Sequence, residues 1–348
     1  MKITLLIMMD LLKFRVPAIS GIVVLTLFLN SCGDVFVENR HTGAALGTTY
    51  SILFYDTEEI NLEKEIDSVF AAMNHSMSTY IPDSDISKIN RGDSTVVVDE
   101  MFQDVFQLSK EINARTEGYF DPTVGVLVNS WGFGPGQQIE LDSARVDSLL
   151  NFVGFGKVRL NEDNTISKMN PSIIFDFNAI AKGYAVDRLG ALLDAKGINN
   201  YLVEVGGELV AKGVNKIKNK DFVVGIDDPQ ANDRTTPIAK IKLTNKGLAS
   251  SGNYRHFRED ALTGVKYVHT VDPITGYTKN SNVLGVTILG PTCAEADAYA
   301  TAFMAMDLEK STSLIIDREG FEALILYIDG KGDVKQFVTK GFEKLYVK

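Results

Sequence analysis

Sulfur, proline and basic charge are all scarce in this chain, and each shortage excludes something. Its 348 residues include only two cysteines, Cys32 and Cys293, so no disulfide framework holds it and stability must come from a packed core. Nine prolines and 45% hydrophobic residues argue against disorder, and the length suits one large domain of two intimate subdomains. Lys and Arg total 35 against 45 Asp and Glu, a net charge of −10, which leaves no broad basic footprint for nucleic acid. The four histidines, His41, His75, His256 and His269, are scattered, and CxxC and HExxH motifs are missing, which argues against a zinc centre. There is no GxxxxGK[ST] loop and no serine-hydrolase elbow. GFGPG, Gly132 to Gly136, follows no clear strand, opens no helix and is broken by Pro135, so it does not read as a dinucleotide loop.

What is there begins with a leader. Lys2, Lys13 and Arg15 precede an apolar run from Val16 to Leu29, too short to span a bilayer comfortably and of the right length for a signal segment. It runs into LNSC, Leu29 to Cys32, followed by Gly33 and Asp34, which resembles a bacterial lipobox. Residues 1–31 are therefore expected to be a lipoprotein signal peptide and Cys32 the lipidated first residue of the mature chain. Cys293, the remaining thiol, has no histidine near it in sequence and reads as a small buried hydrophobe.

Helical spacing of apolar residues marks NLEKEIDSVFAAMNHSM, EMFQDVFQLSKEINART, a short helix near DSARVDSLLNF, Cys293–Met306 and Glu309–Arg318. Strand-like runs include VFVENR, TTYSILFY, a KVRL/TISKM hairpin, NYLVEV, FVVGI, AKIKLT, KYVHTV, NVLGVTIL, EALILYI and DVKQFVT. Helices and strands alternate without a regular βαβ period, so the fold class is α+β.

One stretch contradicts itself. In FDFNAIAKGYAVDRLG, the run SIIFDF reads as a strand, Asn178 as an N-cap, and a helix follows with Ile180, Ala185, Leu189, Leu192 and Leu193 on roughly one face until Gly197. Lys182 then falls in the first turn, where the helix dipole disfavours a cation, and Gly183 costs the helix about 1 kcal/mol relative to alanine. Further on, Thr292 and Glu295 form a capping-box pattern, and Asp297 and Thr301 stand one helical turn apart. A carboxylate beside a hydroxyl is a hard oxygen pair suited to Mg²⁺, although the same spacing also occurs on ordinary helix surfaces.

Eight stretches, in order, carry a resemblance: LGTTYSI, MSTYIPDSDISKIN, GYFDPTVGVLVNSWGFGP, FDFNAIAKGYAVD, VGGELVAKG, LASSGNYRHF, HTVDPITGY and PTCAEADAYATAFMAM. Together they resemble the ApbE family of flavin transferases, the FAD:protein FMN transferases, across residues 32–348. Leu46 stands where methionine is usual in that family, and Glu208 where aspartate is common. The resemblance implies a T-fold-like arrangement of mixed sheets with packed helices. It also implies Mg²⁺-dependent transfer of FMN from FAD to a Ser or Thr of a target protein, with release of AMP. The same site could serve an FAD pyrophosphatase or a lipoprotein that binds FAD without chemistry.

By that resemblance Leu46, Tyr80, Tyr119, Phe120, Asp121, Asp176, Lys182 and Val271 surround FAD, with SGNYR, Ser251 to Arg255, as a further contacting loop. The Ala179 carbonyl, Asp297 and Thr301 would hold the metal, Lys182 would face the pyrophosphate, and His269 would take the hydroxyl proton, a role suited to an imidazole near neutrality. The implied acceptors are subunits of membrane redox pumps, the sodium-translocating NADH:quinone reductase and Rnf-type complexes. The implied location is the periplasmic side of a bacterial membrane, reached by export and lipid anchoring.

Overall fold

Alternation of apolar side chains, one residue to each face, organises the molecule around a single large sheet. The computed structural model describes residues 35–228, 236–252, 257–259, 266–279, 281–316 and 318–347. Strands β1 (Val37–Ala45) and β2 (Thr48–Asp56) form a hairpin, followed by helices α1 (Glu63–Met77), α2 (Asp85–Asn90), α3 (Glu100–Arg115), α4 (Gly125–Ser130) and α5 (Ser143–Leu150). A small ribbon, β3 (Val158–Leu160) and β4 (Ile166–Lys168), leads to α6 (Ala181–Ala195). Then come β5 (Tyr201–Val205), β6 (Glu208–Lys212), β7 (Phe222–Asp227), β8 (Pro237–Leu243), β9 (Lys246–Gly252), β10 (Phe257–Glu259) and β11 (Lys266–Val268). The chain closes with β12 (Val283–Gly290), α7 (Cys293–Ala305), α8 (Leu308–Ile315), β13 (Glu322–Ile328), β14 (Val334–Val338) and α9 (Lys340–Glu343).

The sheet has eight strands in the order β1-β2-β5-β6-β9-β12-β13-β14, and all neighbours run antiparallel. On one face Tyr50, Ile52 and Phe54 of β2 meet Val203 and Val205 of β5, under Val186, Leu189 and Leu193 of α6 and Ile66 and Phe70 of α1. On the same face Val286 and Ile288 of β12 and Ala323 and Ile325 of β13 pack with Ala298, Ala302 and Phe303 of α7. The intervening residues Tyr55, Leu289, Leu324 and Leu326 face the other way, against Phe222 and Val224 of β7, Ile241 and Leu243 of β8, and Phe342 of α9. Each large apolar side chain so buried contributes about 1.5–3 kcal/mol. The β7–β8 ribbon thus covers one face and α6 with α7 the other, as a mixed α+β fold requires.

Two local expectations are corrected. SIIFDF is not a strand: Ile174 alone makes an isolated parallel bridge, to Val124, while Phe175 and Phe177 sink into an aromatic cluster with Phe102. Asn178 is not the cap of the following helix, which begins at Ala181 behind Ile180 with no side-chain cap bond. A third element went unread. LASSG lies in β9, at the centre of the sheet, and Gly247 just before it must be glycine: a Cβ there would collide with the backbone of Thr292 and Cys293. Between β5 and β6 the two-residue turn Gly206-Gly207, with φ of 64° and 104°, is the left-handed pair a tight hairpin needs.

Candidate active site

Helices α6 and α7 begin side by side, and each lends a carboxylate to the other's N-terminus. Asp187 of α6 accepts from the backbone N–H groups of Cys293 and Ala294, both at 2.8 Å. Asp297 of α7 accepts from the Gly183 N–H through Oδ2 at 3.1 Å. Three first-turn donors, the N–H groups of Gly183, Cys293 and Ala294, are therefore satisfied across the interface, while the Ala181 N–H donates locally to the Phe177 carbonyl and Thr292 caps α7 by accepting from the Glu295 N–H at 3.2 Å. Burial pushes the Asp187 carboxyl up to about 6, against the opposing pull of those two N–H groups.

This arrangement accounts for the odd first turn of α6. A Cβ on Gly183 would strike the Cys293 carbonyl oxygen, so the glycine is required by the close approach of α7. Gly183→Ala is expected to destabilise the protein by about 1–3 kcal/mol, the usual range for overpacking. Thermal unfolding without added FAD checks this, and a midpoint equal to wild type would show that the two helices separate freely. Lys182 forms an ion pair with Oε1 of Glu208, the first residue of β6. The cation in the first turn is thus set among carboxylates of the protein itself.

Around it the charges do not balance locally. Glu208 is 2% exposed and Asp297 3%, and one lysine faces both. Burial raises the Glu208 carboxyl to about 7 despite Lys182, and burial raises that of Asp297 in the same direction. For Lys182 burial acts downward, but Asp297 and then Glu208 outweigh it and raise its pKa. Oε2 of Glu208 is buried with no hydrogen-bond partner. One turn beyond Asp297, the Thr301 hydroxyl lies 3.4 Å from that of Ser251 on β9. The cluster offers hard oxygens and an excess of buried negative charge, which fits a divalent cation of the Mg²⁺ type. Ala179 is half-buried against the main core, two residues before α6, so its carbonyl belongs to the turn that leads into the cluster. Among the described residues no group of three or more His, Cys, Asp and Glu forms a metal cage, so carbonyl, hydroxyl or substrate oxygens would have to complete any shell.

The other expected site residues fall into distinct settings. Asp176 is buried, its carboxyl raised by that burial; it accepts from the Asn178 N–H at 2.8 Å, and its own N–H reaches the Pro122 carbonyl at 2.7 Å. Tyr80 is 62% exposed, and its phenol is raised first by its buried part and then by the charge of Asp176, so the two share one neighbourhood. Leu46 occupies the β1–β2 turn with φ 51° and packs on both helix-side clusters. Lys310 lies 4.7 Å from the centre of the Tyr119 ring, and Phe120 is a core residue.

Asp121 is a staple: it accepts from the Thr123 N–H and hydroxyl, the Phe155 N–H and the Asn113 amide. It also lines a cleft of ≈ 510 Å³ together with Asn113, Phe155, Pro273 and Ile274. Val271 is buried with Leu127, Trp131 and Val146. His269, half-buried, directly follows β11 and precedes a turn that is firmly held: the Trp131 indole N–H donates to the Gly276 carbonyl at 2.9 Å, and a Cβ on Gly276 would lie 2.6 Å from Val146. Residues 253–255 of SGNYR and Cys32 lie outside the described residues.

Glu208 and Asp187 escaped the sequence reading as site residues. Glu208 stood out only as a substitution after the paired glycines, and Asp187 gave no local signal, because its partners are 106 and 107 positions away.

The sequence profile of the ApbE family matches residues 46–325. The FAD:protein FMN transferase of Haemophilus influenzae is 32% identical over 345 residues, which is 94% of this chain and 97% of that protein. That of Vibrio cholerae is 35% identical over 83% of this chain and 87% of its own length. Among solved structures, the flavin transferase ApbE from Vibrio cholerae superposes with a TM-score of 0.78 at 30% identity, covering 89% of this chain and all (100%) of that one. The ApbE protein from Thermotoga maritima superposes with a TM-score of 0.77 at 27% identity, over 90% and 100%.

Proposed function

The chain belongs to the ApbE family, and we propose that this flavin transferase cleaves FAD at the cluster of Lys182, Glu208 and Asp297. FMN passes to a Ser or Thr hydroxyl of an acceptor protein, and AMP leaves. The observation that carries the assignment is the excess of buried carboxylate at the start of α6: by itself this cluster repels a pyrophosphate, and with a divalent cation it attracts one. Asp297, Thr301 and the Ala179 carbonyl would hold Mg²⁺, which supplies charge stabilisation to the phosphate oxygens.

The remaining steps belong to side chains. Lys182, aimed by Glu208, adds a second positive charge where negative charge accumulates on the leaving AMP. His269 receives the proton as the acceptor oxygen attacks the FMN-side phosphorus and the bond to the AMP oxygen breaks. Tyr80 and Asp176 border the flavin-binding region, with Leu46, Tyr119, Phe120, Asp121 and Val271 shaping its walls.

The test is to incubate the protein with FAD, Mg²⁺ and a candidate acceptor, then to measure AMP and the flavin fluorescence that stays with the acceptor after denaturation. Both are expected. AMP without bound flavin would make the protein a pyrophosphatase, and no AMP would leave it a binding protein.

We propose further that export and lipidation at Cys32 hold the enzyme on a bacterial membrane facing the periplasm. Its acceptors there would be subunits of the sodium-translocating NADH:quinone reductase or of Rnf-type pumps. Among the described residues no helix is long and apolar enough to cross a membrane. Cys32→Ser is expected to abolish incorporation of radiolabelled palmitate and to leave activity in solution intact. Undiminished labelling would refute the lipidation site.

A further inference from the structure

In a chain of net charge −10, three lysines crowd one short loop: Lys216, Lys218 and Lys220, between β6 and β7. A bridge between Asn215 and Lys220 closes the loop, and Asn219 turns it with φ 47°, so that Ile217 projects 60% exposed. Val35 (81%) and Val223 (50%) are exposed apolar residues too, Val35 next to Phe36 in the chain and Val223 three residues after Lys220. The register of the β7–β8 ribbon sets Val223 opposite Lys242 and Gly225 opposite Lys240, all outward-facing.

Of the acidic residues nearby, Asp221 pairs with Lys242 at 3.6 Å and Glu38 with Arg40 at 3.2 Å, and Asp227 shares the outward row of β7 with Val223 and Gly225. Among the described residues Lys216, Lys218 and Lys220 make no ion pair with a carboxylate. The Lys216 ammonium stands 4.8 Å from the centre of the Phe36 ring, so this loop lies against the first of the described residues. Phe36 is four residues after Cys32, the position that the lipidation reading assigns to the lipid, and four residues of chain reach at most about 14 Å.

We propose that this face, Val35, Phe36, Ile217 and Val223 ringed by the loop lysines, seats on the anionic phospholipid headgroups of the bilayer that receives the Cys32 lipid. The inference rests on the lipidation reading. Apolar side chains enter the headgroup boundary while lysine ammonium groups stay at phosphate level, and a lipid chain with a polybasic patch forms a two-part anchor. The seat also orients the enzyme. The β7–β8 ribbon covers one face of the sheet and α6 with α7 the other, so docking through the ribbon side turns the Lys182 cluster away from the lipid. Acceptor segments would then be served from the aqueous side.

The test uses the lipidated mature protein in vesicles, carrying either Ile217→Trp or Met169→Trp; Met169, 81% exposed, directly follows β4 of the separate β3–β4 ribbon. Trp131 is buried and gives a constant background. In vesicles containing phosphatidylglycerol and brominated lipid, the tryptophan introduced at position 217 is expected to shift to the blue and be quenched, and the one at 169 to stay unquenched. Combining Ile217→Trp with Lys216→Glu, Lys218→Glu and Lys220→Glu, or raising the salt, should abolish the quenching, since surface charge attraction is screened. Equal quenching at both positions, or quenching that persists after charge reversal, overturns the docking face. Palmitate incorporation measured on the same preparations separates the two readings. Label present with no quenching at 217 overturns the docking face alone, and label absent overturns the anchor and the docking face with it.

Discussion

Asp297→Asn is expected to fold like wild type and to lower AMP release by about 10²–10³-fold, the usual loss when one preorganised electrostatic group leaves an active site. The asparagine is the informative substitution because Asp297 has two roles. Its Oδ2 accepts from the Gly183 N–H and completes the first turn of α6. An amide oxygen can accept the same bond, so the cap survives, while the charge that would hold a divalent cation is gone. Asp297→Ala removes both and should unfold at a lower temperature as well. Thr301→Ala removes one neutral oxygen and should be milder, with activity partly restored by excess Mg²⁺. Thermal midpoints and AMP release at limiting Mg²⁺, compared across the three variants, separate capping from metal binding. Wild-type activity of Asp297→Asn at limiting Mg²⁺ would end the metal assignment.

A comparably large effect is expected at His269, with a different signature. If it receives the proton of the acceptor hydroxyl, His269→Ala leaves FAD affinity nearly unchanged and lowers flavin transfer by about 10²–10⁴-fold, because a general base acts in the transition state. Lys182→Ala should weaken FAD binding and slow turnover together, since the ammonium meets phosphate oxygens in both ground and transition states. It should also destabilise the fold, because Glu208 and Asp297 would remain buried without their lysine. With 34% of the Lys182 side chain exposed, that loss should fall below the about 3–5 kcal/mol typical of breaking a fully buried pair. Adding Glu208→Gln to Lys182→Ala should return part of the stability and none of the FAD affinity. FAD titrations, single-turnover rates and unfolding midpoints on the three proteins test this. Transfer at the wild-type rate by His269→Ala across pH 6 to 8 would return His269 to a structural role.

Local patterns made much of this protein readable before its fold was known. Alternation in TTYSILFY and NVLGVTIL reflects two apolar layers around one sheet, and the spacing of Ile66, Phe70 and Met73 reflects a single buried helix stripe. Asp297 and Thr301 share a helix, so their proximity follows from 3.6 residues per turn, and the Thr292 cap of α7 was visible for the same reason. The eight ordered stretches identified the family because each is a local sequence pattern.

Other features depend on how distant segments meet. β9 was not legible as a strand because Gly247, Ala249, Ser250 and Ser251 have little strand propensity; they form a central strand with α7 packed against it. The start of α6 was misplaced because its Gly183 N–H is satisfied by a carboxylate 114 residues away, and no local residue encodes that bond. Lys182 seemed misplaced in its first turn until β6 brought Glu208 to it. Helix and strand periods are properties of neighbouring residues, which the sequence by itself determines. The charge balance of a buried site is set by which elements cross, and here the crossing of α6 and α7 over β6 and β9 decided it.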